Sequence, residues 1–299
     1  MRHFLEVDDL SGEELAGLLD RAEDLDHGQP LAGKGVALLF SKPSLRTRHS
    51  CEMAVVQLGG HPIAVRADEI GVGKRETPAD IANVLAGYHA LLGARVFAHT
   101  DLEALAAPDA IPVVNLLSDD AHPCQALADL LTMRQRFGGL ADRTVAWIGD
   151  LNNVARSHAR GAALSGMAIR IGSPHGYGPT DAEIEHLAVL GAADVVVADR
   201  PHDAAKGADA VHTDIWTSMG FEAEAAERDR AFEGWMVDDS VLAAAAEGAV
   251  FMHCLPAHRG EEVAASVIDG PQSVVIAQAH NRLHSFRAIA WWLAEVNGR

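Results

Sequence analysis

The chain has 299 residues, is 48% hydrophobic and carries a formal charge of −18. This length exceeds that at which one hydrophobic core usually stops growing, which favours two domains. The negative charge argues against general nucleic-acid binding, because contacts to a phosphate backbone need clustered cations. No apolar stretch approaches the roughly 20 residues of a membrane span, and the N-terminus becomes acidic too early for a secretion signal. The composition therefore predicts a cytoplasmic protein without a nucleic-acid or membrane partner.

Cysteine usage supports the same compartment. The chain contains three cysteines, Cys51, Cys124 and Cys254. An odd number in a chain of this length fits a reducing environment better than a disulfide framework. No CxxC spacing occurs, so we expect no structural zinc site and no bound metal.

The first predicted elements are a helix, a strand and a second helix. A capping box of Ser11 and Glu14 precedes apolar residues at helical spacing, which predicts an opening amphipathic helix. Residues 36–40 are typical of a buried strand, and residues 45–58 of a helix that two glycines close. The buried stripe of the opening helix is expected to comprise Leu15, Leu18, Leu19, Ala22 and Leu25.

The alternation of strands and helices continues along the chain. Thr77 and Pro78 predict the next helix start, with a capping residue followed by proline at the first helical position. The following strand, helix, strand and helix are expected at 94–98, 101–107, 111–116 and from Pro123 onward. A second series follows Gly138 and Gly139, with strands near 144–149, 167–172, 194–198, 208–213 and 249–255, then a final helix over 281–296.

This order of elements predicts an α/β fold. Strands that alternate with helices of this length form parallel sheets covered by helices on both faces. The two series predict two domains, each a parallel sheet flanked by helices, with the active site in the cleft that separates them. We expect one domain to comprise residues 1–136 together with the C-terminal helix 281–299, and the other to comprise residues 137–280.

A basic segment follows the first predicted strand. Ser44-Leu45-Arg46-Thr47-Arg48 opens a helix, where free backbone N–H groups, hydroxyls and guanidinium groups converge on one anion. The bland alternative is a solvated first turn, but arginines at this end oppose the helix dipole and need a reason. The segment is not a Walker loop, because the G-x-x-x-x-G-K-[ST] spacing is absent. It predicts a phosphate site.

A second segment, His122-Pro123-Cys124-Gln125, also lies after a strand and before a helix. Histidine donates to a polarised carbonyl oxygen and glutamine bonds an amide, which suits a carbamoyl group. An ordinary helix start is the alternative. Arg95 lies in the predicted strand 94–98, where a cation needs a ligand or, equally, a salt-bridge partner.

The turn after the strand near 144–149 superficially resembles a nucleotide-binding turn. The G-x-G-x-x-G spacing fails at Leu151, which disfavours a nicotinamide enzyme. Asn152 and Asn153 follow, and their amides suit either binding of an amino acid backbone or capping of the next helix.

Two further residues end predicted strands of the second series. Asp214 follows the strand near 208–213, and a carboxylate there pairs with a substrate ammonium. Cys254 lies at the end of the strand near 249–255, although a cysteine in an apolar run is more often an inert core residue. Both strands belong to one predicted sheet, so Asp214 and Cys254 are expected to face one cleft.

Together with Ser218-Met219-Gly220, these segments resemble the ornithine carbamoyltransferase family, in the family's order and over nearly the whole chain. The resemblance implies that Arg95, His122, Asp214 and Cys254 are catalytic. It implies ornithine binding by Asn153, Asp214, Ser218 and Met219. It implies that carbamoyl phosphate is bound by Ser44, Leu45, Arg46, Thr47, Arg95, His122, Gln125, Cys254, Leu255 and Arg282.

Two positions and one loop depart from the pattern of that family. Leu45 replaces a threonine of the basic segment, which removes a hydroxyl but keeps the backbone amide. His280 stands where the family commonly has glutamate, while Arg282 remains. The loop 69–75 lacks a glutamine that is usual in the family, and this loop reaches a neighbouring subunit's site in related enzymes.

The resemblance implies transfer of the carbamoyl group from carbamoyl phosphate to the δ-amine of L-ornithine, giving L-citrulline and phosphate in arginine metabolism. No metal or organic cofactor is implied, because phosphate is already a competent leaving group. A homotrimer, or a multiple of trimers, is also implied.

Alternative activities remain open at this point. One is a transcarbamoylase for another amine, such as putrescine or a modified ornithine. Others are a non-catalytic regulatory homologue that binds carbamoyl phosphate, and a dinucleotide oxidoreductase. Aspartate carbamoyltransferases share the first two motifs but lack the Ser-Met-Gly loop, which disfavours that activity here.

Overall fold

A computed structural model describes residues 1–70, 75–217 and 222–298. The chain divides into two compact units: unit 1 comprises Met1–Leu131 and His280–Arg299, and unit 2 comprises Thr132–Ala279.

Unit 1 contains a parallel sheet of four strands in the order β2-β1-β3-β4 among the described residues. Strand β1 pairs with β2 and β3, and β3 pairs with β4. The strands are β1 Gly35–Phe40, β2 His61–Arg66, β3 His89–Arg95 and β4 Val113–Leu117. The helices are α1 Gly12–Glu23, α2 Leu45–Gln57, α3 Ala67–Ile70, α4 Pro78–Leu85 and α5 His99–Ala106.

The boundaries of the units fall within two long helices, α6 Pro123–Phe137 and α13 Val275–Val296.

Unit 2 contains a parallel sheet of five described strands in the order β7-β6-β5-β8-β9. These strands are β5 Thr144–Ile148, β6 Ala168–Gly172, β7 Asp194–Ala198, β8 Ala210–Thr213 and β9 Val250–His253. The helices are α7 Asn153–Leu164, α8 Asp181–Leu190, α9 Pro201–Ala205, α10 Ala225–Ala231, α11 Asp239–Ala243 and α12 Ala265–Ile268.

The central strands of both sheets are buried apolar runs, as parallel sheets require. In β1 the side chains from Val36 to Phe40 are all buried, and in β5 those from Val145 to Ile148 are. Because all strands of a sheet are parallel, their carboxyl ends lie at one edge, which is where open α/β sheets bind ligands.

A glycine with positive φ and a hydroxyl hydrogen bond shape this edge in unit 2. Gly149 follows β5 with φ +135°, and a Cβ atom there would lie 3.4 Å from Thr213 Oγ1. The Thr213 hydroxyl donates to the Ile148 carbonyl oxygen at 2.5 Å. The positive φ therefore favours glycine at the exit of β5, and the hydroxyl bond joins the exits of β5 and β8.

The predicted α/β class, with two parallel sheets flanked by helices, is confirmed. The capping box that begins α1 is also present, since Ser11 and Glu14 each accept from the other's backbone N–H. The expected burial of Leu25 is wrong: α1 ends at Glu23, and the leucine beyond it is 80% exposed.

Other differences concern where elements begin and end. Strand β3 ends at Arg95 rather than continuing to residue 98, so this arginine stands at the strand exit. Helix α13 begins at Val275 rather than at residue 281. Strand β2 was not predicted, because it is a half-exposed edge strand with Pro62 at its second position and an apolar run of only Ile63 to Val65 after it.

Among the described residues, no helix is both long enough and apolar enough to cross a membrane.

Candidate functional site

In unit 1 the predicted phosphate-site residues lie at the exits of neighbouring strands. Ser44 follows β1, Arg95 ends β3, and His122 follows β4. The Ser41 N–H, at the start of the loop after β1, donates to the Arg95 carbonyl oxygen at 2.8 Å. The order β1-β3-β4 thus brings together three segments that are far apart in the sequence.

Ser44 is the N-cap of α2. Its hydroxyl oxygen accepts from the Thr47 N–H at 3.2 Å, which fixes the first turn of the helix. The Leu45 side chain is exposed, whereas Thr47 is buried. At this turn the Thr47 side chain therefore points into the protein, whereas the Leu45 side chain points to solvent.

Arg282 links α13 to this turn. Its guanidinium is 3% exposed, and Nη2 donates to Thr47 Oγ1 at 3.1 Å while Nη1 donates to Gln125 Oε1 at 2.5 Å. A buried cation is stable only when hydrogen bonds compensate its lost hydration. Thr47 and Gln125 supply two of them.

Sequence reasoning missed Asp129, which is fully buried one helical turn after Gln125. The Gln125 Nε2 group donates to Asp129 Oδ1 at 2.8 Å. This bond orients the amide so that Oε1, and not the NH₂ group, faces Arg282. The i,i+4 spacing on a predicted helix is the signal that would have found Asp129.

His122 is buried and surrounded by cations. Burial holds its pKa well below the ordinary value, and the charges of Arg282, Arg95 and Arg46 lower it further. The three arginines therefore lie close enough to act on one imidazole ring. At neutral pH this ring is uncharged and carries a single N–H donor.

Two of the three cysteines are inert. Burial raises the pKa of the Cys124 thiol to about 12, and it raises the pKa of the Cys51 thiol as well. Since thiolates are the reactive form of cysteine, only the partly exposed Cys254 is suited to chemistry.

In unit 2 the predicted acceptor-site residues also stand at strand exits. Asn152 follows β5, Asp214 follows β8, and Cys254 follows β9, and these strands are neighbours in the sheet. The Cys254 thiol donates to Asp214 Oδ1 at 3.1 Å. The Asn152 amide donates from Nδ2 to Asp214 Oδ2 at 2.9 Å.

The turn that carries Cys254 is held by a buried histidine. Leu255 has φ +59° and is followed by a cis bond to Pro256. The Leu255 N–H donates to His253 Nδ1 at 2.8 Å, so Nε2 carries the ring proton and donates to Glu262 Oε1 at 3.1 Å. Both ring nitrogens are engaged, which makes His253 a support of the turn rather than a metal ligand.

Of the other ornithine-site predictions, Asn153 is the first residue of α7, and its Oδ1 accepts from the Val154 N–H at 3.0 Å. Ser218 and Met219 lie outside the described residues. The segment just before them is anchored by Arg228, whose Nη1 donates to the Trp216 carbonyl at 3.0 Å and to Asp150 Oδ2 at 2.6 Å. The sequence offered no signal for Arg228.

Comparison with known proteins defines the class to which this arrangement belongs. Residues 2–135 match the carbamoyl-P binding domain of aspartate/ornithine carbamoyltransferases, and residues 141–293 match their Asp/Orn binding domain. The fold and the two matched domains are those of a carbamoyl-transferring α/β enzyme.

Full-length relatives agree with this class. The chain is 47% identical to the ornithine carbamoyltransferase of Acidothermus cellulolyticus, covering 100% of this chain and 98% of that one. It is 47% identical to that of Haloquadratum walsbyi, covering 99% and 98%. The crystal structure of the Thermus thermophilus ornithine carbamoyltransferase superimposes with a TM-score of 0.88 at 43% identity, covering 97% of each chain. The chain belongs to the aspartate/ornithine carbamoyltransferase family.

The neutral state of His122 makes a prediction about acid stability. An unfolded histidine takes up a proton below a pH of about 6.5, whereas buried His122 does not, so the native state loses up to about 1.4 kcal/mol for each pH unit below that point. We expect His122→Gln to have a shallower loss of unfolding free energy than the wild type between pH 7.5 and 5. Urea unfolding at a series of pH values measures both slopes.

The exposed His61, in the same unit, supplies the control for this experiment. His61→Gln should keep the wild-type slope. Equal slopes for the wild type and His122→Gln would show that His122 does not stay neutral.

Proposed function

We propose that this chain transfers the carbamoyl group of carbamoyl phosphate to the δ-amine of L-ornithine, releasing L-citrulline and phosphate. Membership of the family supports the reaction class. The observation that carries the proposal is the placement of Arg46, Arg95 and Arg282 around a neutral His122 in a chain of charge −18. Such a local concentration of cations needs an anionic ligand, and a neutral imidazole beside it suits a carbonyl oxygen.

Unit 1 is proposed to bind the donor substrate, carbamoyl phosphate. The α2 N-terminus, with Ser44, Leu45, Arg46 and Thr47, supplies backbone N–H groups, hydroxyls and a guanidinium for the phosphate. Gln125 and Arg282, fixed by their mutual hydrogen bond, complete this group. Cys254 and Leu255 of unit 2 are assigned to the carbamoyl end of the donor.

The catalytic effect of unit 1 is electrostatic. As the amine attacks, negative charge develops on the carbonyl oxygen, and the donors Arg95, His122 and Thr47 stabilise it. A neutral His122 donates one hydrogen bond without adding a charge that would compete for the phosphate. One oxyanion donor is typically worth about 3 to 4 kcal/mol of the barrier.

Unit 2 is proposed to bind the acceptor substrate, L-ornithine. A free alkyl amine has a pKa of about 10, so the δ-amine must lose a proton before it attacks. The Asp214 carboxylate and the Cys254 thiol, 3.1 Å apart, form one hydrogen-bonded pair that holds the amine in line with the carbonyl carbon. Asn153, Ser218 and Met219 are assigned to the amino acid end of ornithine.

The acceptor assignment predicts a clear order of substrates. We expect carbamoylation of L-ornithine with a kcat/KM at least about 100-fold above that of putrescine, which lacks the α-amino acid end. An Nα-acylated ornithine and aspartate should also be poor acceptors. Colorimetric citrulline and ureido assays with each amine at fixed carbamoyl phosphate measure this.

A higher kcat/KM for putrescine or for the acylated ornithine than for L-ornithine would show that L-ornithine is not the preferred acceptor. No product with any amine, together with intact binding of carbamoyl phosphate, would favour the non-catalytic homologue.

The donor assignment predicts the effect of Arg46→Ala. Loss of a charge-assisted contact to phosphate should weaken phosphate binding about 100-fold, equivalent to about 3 kcal/mol. Isothermal titration calorimetry with inorganic phosphate and with carbamoyl phosphate measures the change.

Arg48→Ala is the matched control, because it lies on the same helix but is exposed and paired with Glu52 at 2.9 Å. It should bind phosphate as the wild type does. If Arg48→Ala weakens binding as much as Arg46→Ala does, the assignment of Arg46 is wrong.

We propose a homotrimer or a multiple of trimers as the assembly, and a cytoplasmic location. Exposed apolar side chains on unit 1, namely Met53 and Val56 of α2 and Ile63 of β2, support association through this unit. A reducing compartment suits Cys254, which must remain a thiol to bond Asp214.

The assembly is testable by light scattering on the purified protein. We expect a mass of three times the 31.7 kDa of one chain, or a multiple of it. Val56→Glu should lower the mass toward one chain, because it places a charge on the apolar surface. A monomeric wild type would overturn the proposal.

A further inference from the structure

We propose that Asn152 is a positioning residue of the acceptor site, acting through Asp214. It touches neither substrate in the proposed function, on which the inference rests. Its role is to hold the Asp214 carboxylate in the orientation that faces Cys254.

The orientation of the Asn152 amide is decided by helix α7. Asn152 is the N-cap of this helix, and its Oδ1 accepts from the Val154 and Ala155 N–H groups, each at 3.0 Å. Oδ1 must therefore face the helix, because an NH₂ group there would oppose two donors. The opposite end, Nδ2, is then directed at Asp214 Oδ2, 2.9 Å away.

The carboxylate of Asp214 is held on both oxygens. Oδ2 accepts from Asn152, while Oδ1 accepts from the Ile215 N–H at 2.9 Å and from the Cys254 thiol at 3.1 Å. Asp214 and Asn152 are both buried, so the bond between them is shielded from water. Rotation of the carboxylate away from Cys254 would break the bond to Asn152, and the amide thus restrains the pair that positions the amine.

Asparagine is the residue type that performs both tasks. Serine caps a helix equally well but has no second polar group to reach Asp214. Aspartate also caps well, yet it would direct a carboxylate oxygen at another carboxylate oxygen. The double requirement of one acceptor and one donor on a short side chain explains why an amide stands here.

The charges around Asp214 show why a neutral neighbour matters. Asp150 lies on the loop after β5. Burial raises the pKa of Asp150 and the charge of Asp214 raises it further, while a direct bond from Arg228 lowers it. Arg156 also acts on Asp150, and the buried pair of His253 and Glu262 supports the turn of Cys254. A third carboxylate at position 152 would raise the pKa of the Cys254 thiol and of a bound ammonium, since negative charge disfavours loss of a proton.

Two substitutions separate positioning from helix capping. Asn152→Ser keeps the cap and loses the bond to Asp214. We expect a KM for ornithine about 10-fold higher, the equivalent of one lost hydrogen bond, with the KM for carbamoyl phosphate and the melting temperature close to wild type. Asn152→Asp keeps the cap as well and adds a charge.

The second readout needs no activity. The pH dependence of alkylation by iodoacetamide reports the thiol pKa of Cys254, because Cys51 and Cys124 are buried with raised pKa values. We expect the profile of Asn152→Asp to move to higher pH than that of the wild type, while Asn152→Ser does not shift in that direction. Cys254→Ser checks that the labelled thiol is the intended one.

Asp238→Ser is the matched control for the cap. Asp238 caps α11 in the same unit by accepting from two backbone N–H groups, as Asn152 does. Its replacement should leave the KM for ornithine unchanged.

Three outcomes would overturn the inference: an unchanged KM for ornithine in Asn152→Ser, an equal rise of both KM values, or identical alkylation profiles for Asn152→Asp and the wild type. Failure of the proposed function is separate, because it would appear as absence of citrulline formation by the wild type.

Discussion

The hydrogen bonds of the buried Arg282 guanidinium are the interactions on which the proposed donor site depends. A cation that is 3% exposed must be surrounded by acceptors, and its partners on α2 and α6 lie 235 and 157 residues away in the chain. Through Nη1 and Nη2 this side chain ties α13 to α6 and to the first turn of α2. Burial holds the pKa of His122 well below its ordinary value, and the charge of Arg282 lowers it further.

Both units apply the same geometric principle to different chemistry. Parallel strands end at one edge of their sheet, and that edge collects side chains from distant parts of the chain. In unit 1 the exits of β1, β3 and β4 supply cations and a neutral histidine. In unit 2 the exits of β5, β8 and β9 supply an amide, a carboxylate and a thiol joined by hydrogen bonds. The strand exits of unit 1 thereby carry positive charge, and those of unit 2 carry negative charge.

Residues that support the site were harder to predict than residues within it. Five residues act on the site through another side chain or a backbone group, namely Asp129, Asn152, Arg228, His253 and Glu262. Apart from the i,i+4 spacing of Gln125 and Asp129, no motif marks such a role. The sequence predicts a cap or a ligand at Asn152, and it is the cap that directs its amide at Asp214. Strand β2 was missed for a different reason, since this half-exposed edge strand has a shorter apolar run than β1 has.

The sequence by itself determined the α/β class, the order of the elements and the segments at which they meet. These are local properties: a capping box, a buried run of β-branched and aliphatic residues, and a basic first turn each depend on near neighbours. The tertiary structure decided which strand exits lie side by side, that Arg95 ends its strand, and which atoms of Gln125 and Asn152 face their partners. Sheet order and amide orientation are set by contacts between residues remote in sequence, so no local pattern records them.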